Sequence, residues 1–354
     1  MLHFEGHKIT KFHRSQILMK KTITYIFLAS LLLLTTAFLT EFALGLIYDY
    51  RNRGIEPIAA KDYPFLYFLY EKSPERDIHG FKTNHPIAKP SGKFRIILTG
   101  GSVAMGNAPK ESIAHYLEQE LNERFVTNRI EVINAGVSAF VAEQVFLNIQ
   151  LILQHYEPNI IVSLDGYNDL MTFRLNRQYP SEFELPPHYW QDFMVIKYNS
   201  EKASFRSRFS YLFKNISYAI RYFNRKEFEK NYDWSSLNED SLRPYSTRYW
   251  QILDDTYDFC KAKKISYYNF LQPVRSYDRN AAQDDADMRA MSLLYRQFES
   301  GTKAKTYAYS VTSIFNGRQD MFTDDCHVIA EGNKMFSKAI SERISDELEA
   351  VFEN

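Results

Sequence analysis

The sequence has only two cysteines and no excess of either charge. Its 43 Lys and Arg residues balance 43 Asp and Glu residues. Two cysteines are too few for a disulfide scaffold. Phosphate contacts normally require a basic surface, so the balanced charge argues against a polyanionic partner. We therefore expect no nucleic acid partner. With 354 residues, the chain is long enough to bury a sizeable core.

A run without charged residues lies near the amino terminus, at residues 22–40. Together with the apolar residues that follow Glu41, this run is long enough to cross a bilayer as one helix. A buried core helix would normally carry a polar stripe, and none is present. We predict a transmembrane anchor at residues 22–47. A cleavable signal peptide remains an alternative, because Ala43-Leu44-Gly45 offers small residues, but the apolar run is longer than its usual core.

Basic residues are concentrated before this span, in the segment 1–21. That segment holds one acid, Glu5, against five basic residues: Lys8, Lys11, Arg14, Lys20 and Lys21. Acidic and basic residues are balanced after the span. By the positive-inside rule, segment 1–21 is predicted to be cytoplasmic. The remainder of the chain is then expected in the periplasm or outside the cell.

Short apolar strands alternate with amphipathic helices from residue 91 onward. The predicted strands are 94–98, 130–133, 160–164 and 265–270, and the predicted helices include 112–125, 139–156 and 328–352. This alternation predicts an α/β fold of three α/β/α layers with a parallel, flavodoxin-like sheet, in a domain of residues 91–354. Residues 48–90 contain five prolines and are predicted to form an irregular linker and lead-in on the domain surface.

The stretch 171–244 does not fit the alternation, and we predict that it is a cap-like insertion. Residues 205–223 carry aromatic and aliphatic side chains at helical spacing, with arginines among them. Such a basic amphipathic helix can pack its apolar face on the parent domain. It can also face a membrane or cover a substrate. Both interpretations stay open, and the insertion is where we expect substrate preference to be set.

The predicted strands end in residues suited to acyl-group chemistry. Ser102 follows the first strand after two glycines, Gly136 follows the second, and Asn168 follows the third. Carboxyl ends of parallel strands meet at one edge of a sheet, so these residues should face one crevice. His327 precedes the last helix, and its loop can reach the same edge.

These residues offer the parts of an activated serine nucleophile. Serine needs a neighbouring base, and His327 is the natural base near neutral pH. Asp324 can turn back within one loop to hold the second imidazole nitrogen. The backbone N–H groups of Ser102 and Gly136 and the side-chain amide of Asn168 can donate to an oxyanion. Each motif alone is common, but their order and their positions at strand ends strengthen the signal.

At this point the chain resembles the SGNH hydrolases, also called the GDSL esterase and lipase family, over about residues 90–350. The resemblance rests on Gly100-Gly101-Ser102, Gly136, Gly166-Tyr167-Asn168-Asp169 and Asp324-x-x-His327. It implies that Ser102 is the nucleophile, that Gly136 and Asn168 complete the oxyanion hole, and that His327 with Asp324 activates the serine. The family usually has an aspartate where Gly101 stands. That aspartate is not a triad member, so the departure leaves activity possible and puts the turn geometry in question.

The sequence thus predicts a membrane-anchored serine esterase or O-acyltransferase that acts outside the cytoplasm through an acyl-enzyme on Ser102. The expected substrates are acetylated glycans or other esters, and we expect no metal or organic cofactor. Cys326 adjoins His327, but no cysteine and histidine cluster with zinc spacing surrounds it. One alternative is a catalytically silent SGNH-fold protein that binds glycan or takes part in envelope assembly. A further alternative is a lipase or phospholipase.

Overall fold

A computed structural model describes residues 5–51, 60–63, 65–106, 108–178, 233–275 and 286–352. The chain divides into two compact units. The described residues of the first unit are 5–51. The described residues of the second unit lie between 60 and 352. The sequence-based domain boundaries stay predictions.

The first unit contains one long helix, α1 (Glu5–Arg51). Its segment Met19–Gly45 has a mean hydropathy of 2.0 and is long and apolar enough to cross a membrane. Four threonine hydroxyls in this segment donate to backbone carbonyls one turn earlier, at 2.8 to 2.9 Å, in Thr24, Thr35, Thr36 and Thr40. The helix therefore satisfies these polar groups internally, and it extends beyond the predicted span of 22–47 at both ends.

The second unit begins with an antiparallel hairpin of strands β1 (Ala60–Tyr63) and β2 (Tyr67–Tyr70). Leu66, Leu69 and Phe81 in this region are fully buried and join the main hydrophobic core. The predicted lead-in thus contains a short hairpin that packs on the domain, residues 71–90 hold no named helix or strand, and the assignment of 48–90 as a linker stays a prediction. Leu66, Leu69 and Phe81 pack into the core of the domain, whereas Phe65 and Ile78 are exposed.

A parallel sheet of five strands forms the centre of this unit. The strands are β3 (Phe94–Gly100), β4 (Ile130–Gly136), β5 (Ile160–Asp165), β6 (Ser266–Leu271) and β7 (Ala308–Ser310). Their order is β4-β3-β5-β6-β7, and every pairing is parallel. This topology confirms the predicted flavodoxin-like α/β fold. Sequence reasoning missed β7, whose three residues are too few for a recognisable apolar run.

Helices cover both faces of the sheet, as predicted. They are α2 (Ser102–Met105), α3 (Ile113–Arg124), α4 (Ala142–Leu151), α5 (Tyr167–Gln178), α6 (Glu239–Ala262), α7 (Ala286–Thr302) and α8 (Ala330–Phe352). Short 3-10 turns occupy Pro109–Glu111, Leu153–Tyr156, Trp234–Ser236 and Gln319–Met321. Side chains from α2, α3 and α8 fill one hydrophobic core, and those from α4 to α7 fill the other.

The predicted insertion 171–244 is only partly described. Its first residues belong to α5, and its last residues form the turn Trp234–Ser236 and the start of α6. Residues 179–232, which include the basic amphipathic stretch 205–223, lie outside the described residues. The alternatives for the stretch 205–223, packing on the parent domain or facing a membrane or a substrate, therefore stay predictions.

A buried ion pair fastens the lead-in segment to the sheet. Arg95 on β3 is fully buried, and its Nη2 lies 2.8 Å from Oε2 of Glu131 on β4. Its Nη1 donates to the carbonyls of Ile87 and Tyr156 at 2.6 and 2.8 Å. One guanidinium thus connects the lead-in, two strands and the turn after α4. Removing one partner of such a pair leaves the other charge buried without compensation.

We therefore expect Arg95→Met to lower the free energy of unfolding by about 3–5 kcal/mol, because Glu131 loses its partner. Arg124→Met is the matched control, since Arg124 and Glu349 form a half-exposed pair at 3.6 Å. Such exposed pairs contribute about 1 kcal/mol or less. Urea unfolding of both variants measures the difference. Equal losses would show that the buried pair contributes no more than the exposed one.

Candidate active site

Ser102 lies at the carboxyl edge of the sheet, two residues after β3 ends. Gly100 adopts φ +136°, and a Cβ there would lie 2.3 Å from the carbonyl oxygen of Leu164, so only glycine fits. Ser102 is the first residue of the single-turn helix α2. The carboxyl end of α2 is held by two donors: Asn134 Nδ2 reaches the Met105 carbonyl at 3.0 Å, and Lys82 Nζ reaches the Gly106 carbonyl at 2.7 Å.

The structure brings Ser102, His327 and Asp324 together in one line of hydrogen bonds. Ser102 Oγ lies 2.7 Å from His327 Nε2, and His327 Nδ1 lies 2.7 Å from Asp324 Oδ2. The other carboxylate oxygen of Asp324 accepts the backbone N–H groups of Cys326 and His327 at 2.9 and 2.8 Å. This order is the one expected from the sequence.

The electrostatics of the loop favour an ionised Asp324. Partial burial acts to raise the pKa of this carboxyl, but the backbone N–H groups of Cys326 and His327 and the nearby imidazole outweigh it and lower the pKa. An ionised Asp324 accepts the Nδ1–H of His327, which leaves Nε2 free to accept the Ser102 hydroxyl proton. The arrangement is therefore suited to taking a proton from Ser102.

Asn168, near the start of α5, lies against the glycine that precedes Ser102. Its Nδ2 donates to the Phe140 carbonyl at 2.8 Å, and this bond uses one of the two amide hydrogens. A Cβ at Gly101 would lie only 2.3 Å from this nitrogen. Gly101 has a φ of −80°, which any residue can adopt, so its backbone conformation does not require glycine. Glycine is needed here because a side chain would overlap the Asn168 amide. A residue with a side chain here would require Asn168 to move.

The structure does not support the oxyanion role expected for Gly136. Its N–H donates to Asn134 Oδ1 at 3.2 Å, so this hydrogen is already used. A Cβ at Gly136 would lie 2.2 Å from the Met105 backbone nitrogen. Gly136 is therefore a packing glycine that lets β4 approach α2 closely. The backbone donor that was expected at Gly136 must be sought in the turn that follows β4.

Ala139 in that turn has a backbone N–H suited to such a donor, and the sequence analysis did not identify it. It has φ +66°, a conformation that costs an L-residue roughly 1–2 kcal/mol. Within the described residues its N–H makes no hydrogen bond, and it is half-exposed. The next residue, Phe140, holds the Asn168 amide. The small Ser138-Ala139 pair was the only sequence signal, because a left-handed turn at a non-glycine residue depends on its tertiary setting.

Asp169 joins the two segments that carry Ala139 and Asn168. Its Oδ1 accepts the N–H of Ala142 at 2.9 Å, and its Oδ2 accepts the N–H of Gly166 at 3.2 Å. Ala142 is the first residue of α4, so Asp169 satisfies an N–H at the start of a neighbouring helix. Burial raises the pKa of Asp169 to about 8, and the nearby Glu143 and Asp165 carboxylates act in the same direction.

Cys326 lies beside the aligned groups but is unsuited to ionise. Ligand atoms of Asp324, Cys326 and His327 lie within 4.8 Å of one another, close enough to hold a metal ion. Burial, followed by the charges of Asp324 and Asp325, raises the pKa of the Cys326 thiol and disfavours the thiolate that metals prefer. Both nitrogens of His327 already have hydrogen-bond partners. The donor set therefore fits proton transfer better than metal binding. Cys326 and Cys260 are both buried, and neither forms a disulfide bond.

A pocket of about 240 Å³ opens beside Ser102 and His327. Its walls come from α2, the turn that contains Pro109–Glu111, the loop before α8 and the first turn of α8. The residues that line it include Val103, Ala108, Glu111, Thr323, Ala330 and Asn333. The serine hydroxyl is thus accessible to a small molecule from this side.

Comparisons with known proteins give similarity in structure only. No family model and no curated protein sequence matches the chain. A lipase from a goat rumen metagenome is similar at a TM-score of 0.43 and 10% identity, over 71% of this chain and 97% of that one. An acetyl xylan esterase gives 0.42 and 11%, over 71% and 100%. A GDSL-like lipase from Bacteroides thetaiotaomicron gives 0.36 and 14%, over 73% and 92%. Similarities at this level assign neither family nor activity.

The raised pKa of Asp169 predicts a pH-dependent contribution to stability. Between 3.8, the ordinary value, and about 8, the folded state keeps a proton that the unfolded state releases. The contribution of Asp169 to stability therefore falls as pH rises through this window, by up to about 1.4 kcal/mol per pH unit. Asp169→Asn removes this term, so its free energy of unfolding relative to the wild type should rise from pH 5 to pH 8.

Urea unfolding at pH 5, 6.5 and 8 measures this trend. Asp320→Asn is the control, because a hydrogen bond from Arg318 lowers the pKa of this exposed carboxyl. The free energy of unfolding of this variant relative to the wild type should therefore not change from pH 5 to pH 8. A flat difference for Asp169→Asn as well would contradict the protonated, buried state of Asp169.

Proposed function

We propose that the chain is a serine ester hydrolase or O-acyltransferase of the SGNH type, with Ser102 as its nucleophile. The observation that carries the proposal is the 2.7 Å hydrogen bond between Ser102 Oγ and His327 Nε2, with Asp324 on the far side of the imidazole. A serine held in this way has the activated-nucleophile geometry of acyl transfer. A catalytically silent scaffold would need neither the bond nor its Asp324 support.

In the proposed reaction, Ser102 attacks an ester carbonyl while His327 Nε2 takes the hydroxyl proton. Asp324 stabilises the imidazolium that forms and remains ionised. His327 then gives the proton to the departing alcohol, and the acyl group stays on Ser102. In hydrolysis, His327 takes a proton from water as the water attacks the acyl group, and it returns a proton to Ser102 as the acid leaves. In transfer, a sugar hydroxyl takes the place of water. Both outcomes share the same acyl-enzyme, so the proposal covers both.

Three donors are proposed to stabilise the oxyanion of the tetrahedral intermediate. They are the N–H groups of Ser102 and Ala139 and the second amide hydrogen of Asn168. Support comes from the Asn168 bond to Phe140, which directs that amide toward Gly101, and from the unbonded N–H of Ala139 within the described residues. Each such donor contributes about 3 kcal/mol of transition-state stabilisation. Ala139 thereby replaces Gly136 in this role.

The proposal includes a membrane anchor formed by α1. Three observations support it: the apolar length of Met19–Gly45, the internally bonded threonine hydroxyls, and the basic residues that precede the span. A helix in lipid must satisfy its polar groups within itself. We place the amino terminus in the cytoplasm and the catalytic domain outside it, because basic segments stay on the cytoplasmic side. We propose acetylated glycans of the cell envelope as the substrates.

Replacement of either proton-transfer residue should remove activity and leave the fold intact. We expect Ser102→Ala and His327→Gln each to lower kcat/KM for 4-nitrophenyl acetate by roughly 10⁴-fold or more, because the two residues act as a unit. Ser313→Ala, at an exposed serine of the same domain, is the control. Initial rates and thermal unfolding of the three variants provide the measurement. Residual turnover by Ser102→Ala near the wild-type rate would remove Ser102 from the mechanism.

Charges placed in the middle of α1 should abolish membrane insertion. We expect Leu32→Arg with Leu33→Arg to shift the full chain from the membrane fraction to the carbonate-soluble fraction, since each central arginine costs about 2.5–3.5 kcal/mol on insertion. Leu32→Ala with Leu33→Ala keeps the segment uncharged and should remain membrane-bound.

The orientation of the chain has a separate test. In the wild type, alkaline phosphatase fused to the carboxyl terminus should be active, because this enzyme is active outside the cytoplasm. An inactive fusion on a stable, membrane-bound chain would reverse the proposed orientation.

A further inference from the structure

The pocket beside Ser102 lies on one particular side of the nucleophile. Among the described residues, it is lined by both Ser102 and His327 but by neither Ala139 nor Asn168. The proposed donors of Ala139 and Asn168 therefore lie outside the pocket, which opens beside the base, His327. This difference decides which part of an ester can enter it.

Proton transfer fixes the position of the alcohol part of the substrate. In the proposed reaction, the carbonyl oxygen must face the Ala139 and Asn168 donors, whereas the leaving oxygen must lie within hydrogen-bond reach of His327 Nε2. In deacylation, the attacking hydroxyl occupies the same place. The space beside His327 is thus available to the alcohol, as leaving group or as acceptor, and not to the acyl chain.

The size of the pocket limits that alcohol to a compact group. Its volume of about 240 Å³ is below the roughly 300–1,000 Å³ of pockets that hold drug-sized ligands. Val103, Ala108 and Ala330 form small apolar walls. One sugar ring fits a space of this size, and a long hydrocarbon chain does not.

The polar residues of the pocket match an alcohol that carries further hydroxyl groups. Glu111 is an exposed residue of the pocket wall, and its carboxylate makes no hydrogen bond or ion pair within the described residues. The Asn333 amide is fixed by the Glu111 backbone carbonyl at 2.8 Å, and the Thr323 hydroxyl by the His327 carbonyl at 3.2 Å. The carboxylate also repels an anionic group such as a phosphate.

We infer that this pocket is the alcohol subsite, and that it takes one neutral sugar unit of an acetylated glycan as leaving group or acyl acceptor. The inference rests on the proposed function and deepens it by naming the alcohol. Ala108 sets the depth of the subsite, and Glu111 sets its preference for uncharged over anionic sugars. The acyl group lies outside this subsite.

The test compares three esters that change one part at a time: methyl acetate, methyl butanoate and a monosaccharide acetate. Ala108→Leu fills the pocket, and Ala262→Leu, at an exposed position at the end of α6, is the matched control. We expect Ala108→Leu to lower kcat/KM for the sugar acetate relative to methyl acetate by roughly tenfold or more. The ratio of methyl butanoate to methyl acetate should stay unchanged.

Two outcomes of this comparison overturn the inference and leave the proposed function standing. One is a changed butanoate to acetate ratio with an unchanged sugar to methyl ratio, which would make the pocket an acyl site. The other is no change in either ratio. Absence of turnover of all three esters by the wild-type chain would instead remove the proposed function, and the inference with it.

Glu111→Gln tests the same subsite without altering its volume. We expect kcat/KM for an acetylated glucuronate to rise several-fold relative to the acetylated neutral sugar, because the repulsion of its carboxylate is removed. The gain should shrink as salt is added, since the charges are exposed to solvent. An unchanged ratio between the two sugar esters at low salt would show that Glu111 does not face the alcohol. Because Glu111 is exposed, this variant also gives an answer if Ala108→Leu fails to fold.

Discussion

The hydrogen bond between Ser102 and His327 is the interaction on which the proposed activity of this molecule depends. It joins two residues that lie 225 positions apart in the chain. The bond requires β3 to deliver Ser102 to the carboxyl edge of the sheet, and it requires the loop before α8 to return His327 to that same edge. Asp324 then fixes the ring from behind with the help of two backbone N–H groups. A parallel sheet makes this possible because all of its strands end at one edge.

The opposite side of Ser102 is organised by cross-links between the turn after β4 and the start of α5. Asn168 bonds to Phe140, and Asp169 bonds to Ala142, so the two segments cannot separate without losing both bonds. The missing side chain at Gly101 gives the Asn168 amide its place. A glycine at position 101, where SGNH hydrolases usually have an aspartate, is therefore compatible with this site, because the space that a side chain would take is occupied by the amide of Asn168.

Sequence reasoning predicted the sheet and the Ser102, His327 and Asp324 cluster, because both follow from local patterns. Apolar runs such as 94–98 identify parallel strands, and strand ends must converge. It failed where a residue's role depends on the folded conformation around it. Phe81 is buried because the sheet lies beneath it, Gly136 loses its N–H to the side chain of Asn134, and Ala139 takes a left-handed turn without being glycine. For Ala139 the only sequence signal is the small Ser138-Ala139 pair, and neither the burial of Phe81 nor the bond from Gly136 follows from a local pattern.

Covalent trapping is the most direct test of our proposal that Ser102 is an activated nucleophile. The full-length chain would be incubated with a fluorophosphonate probe and digested, and the modified residue would be located by peptide mass spectrometry. We expect one adduct on Ser102, together with much slower labelling of the folded His327→Gln variant, which lacks the base. If the folded wild-type chain remains unlabelled, or is labelled at another serine, Ser102 is not the activated nucleophile.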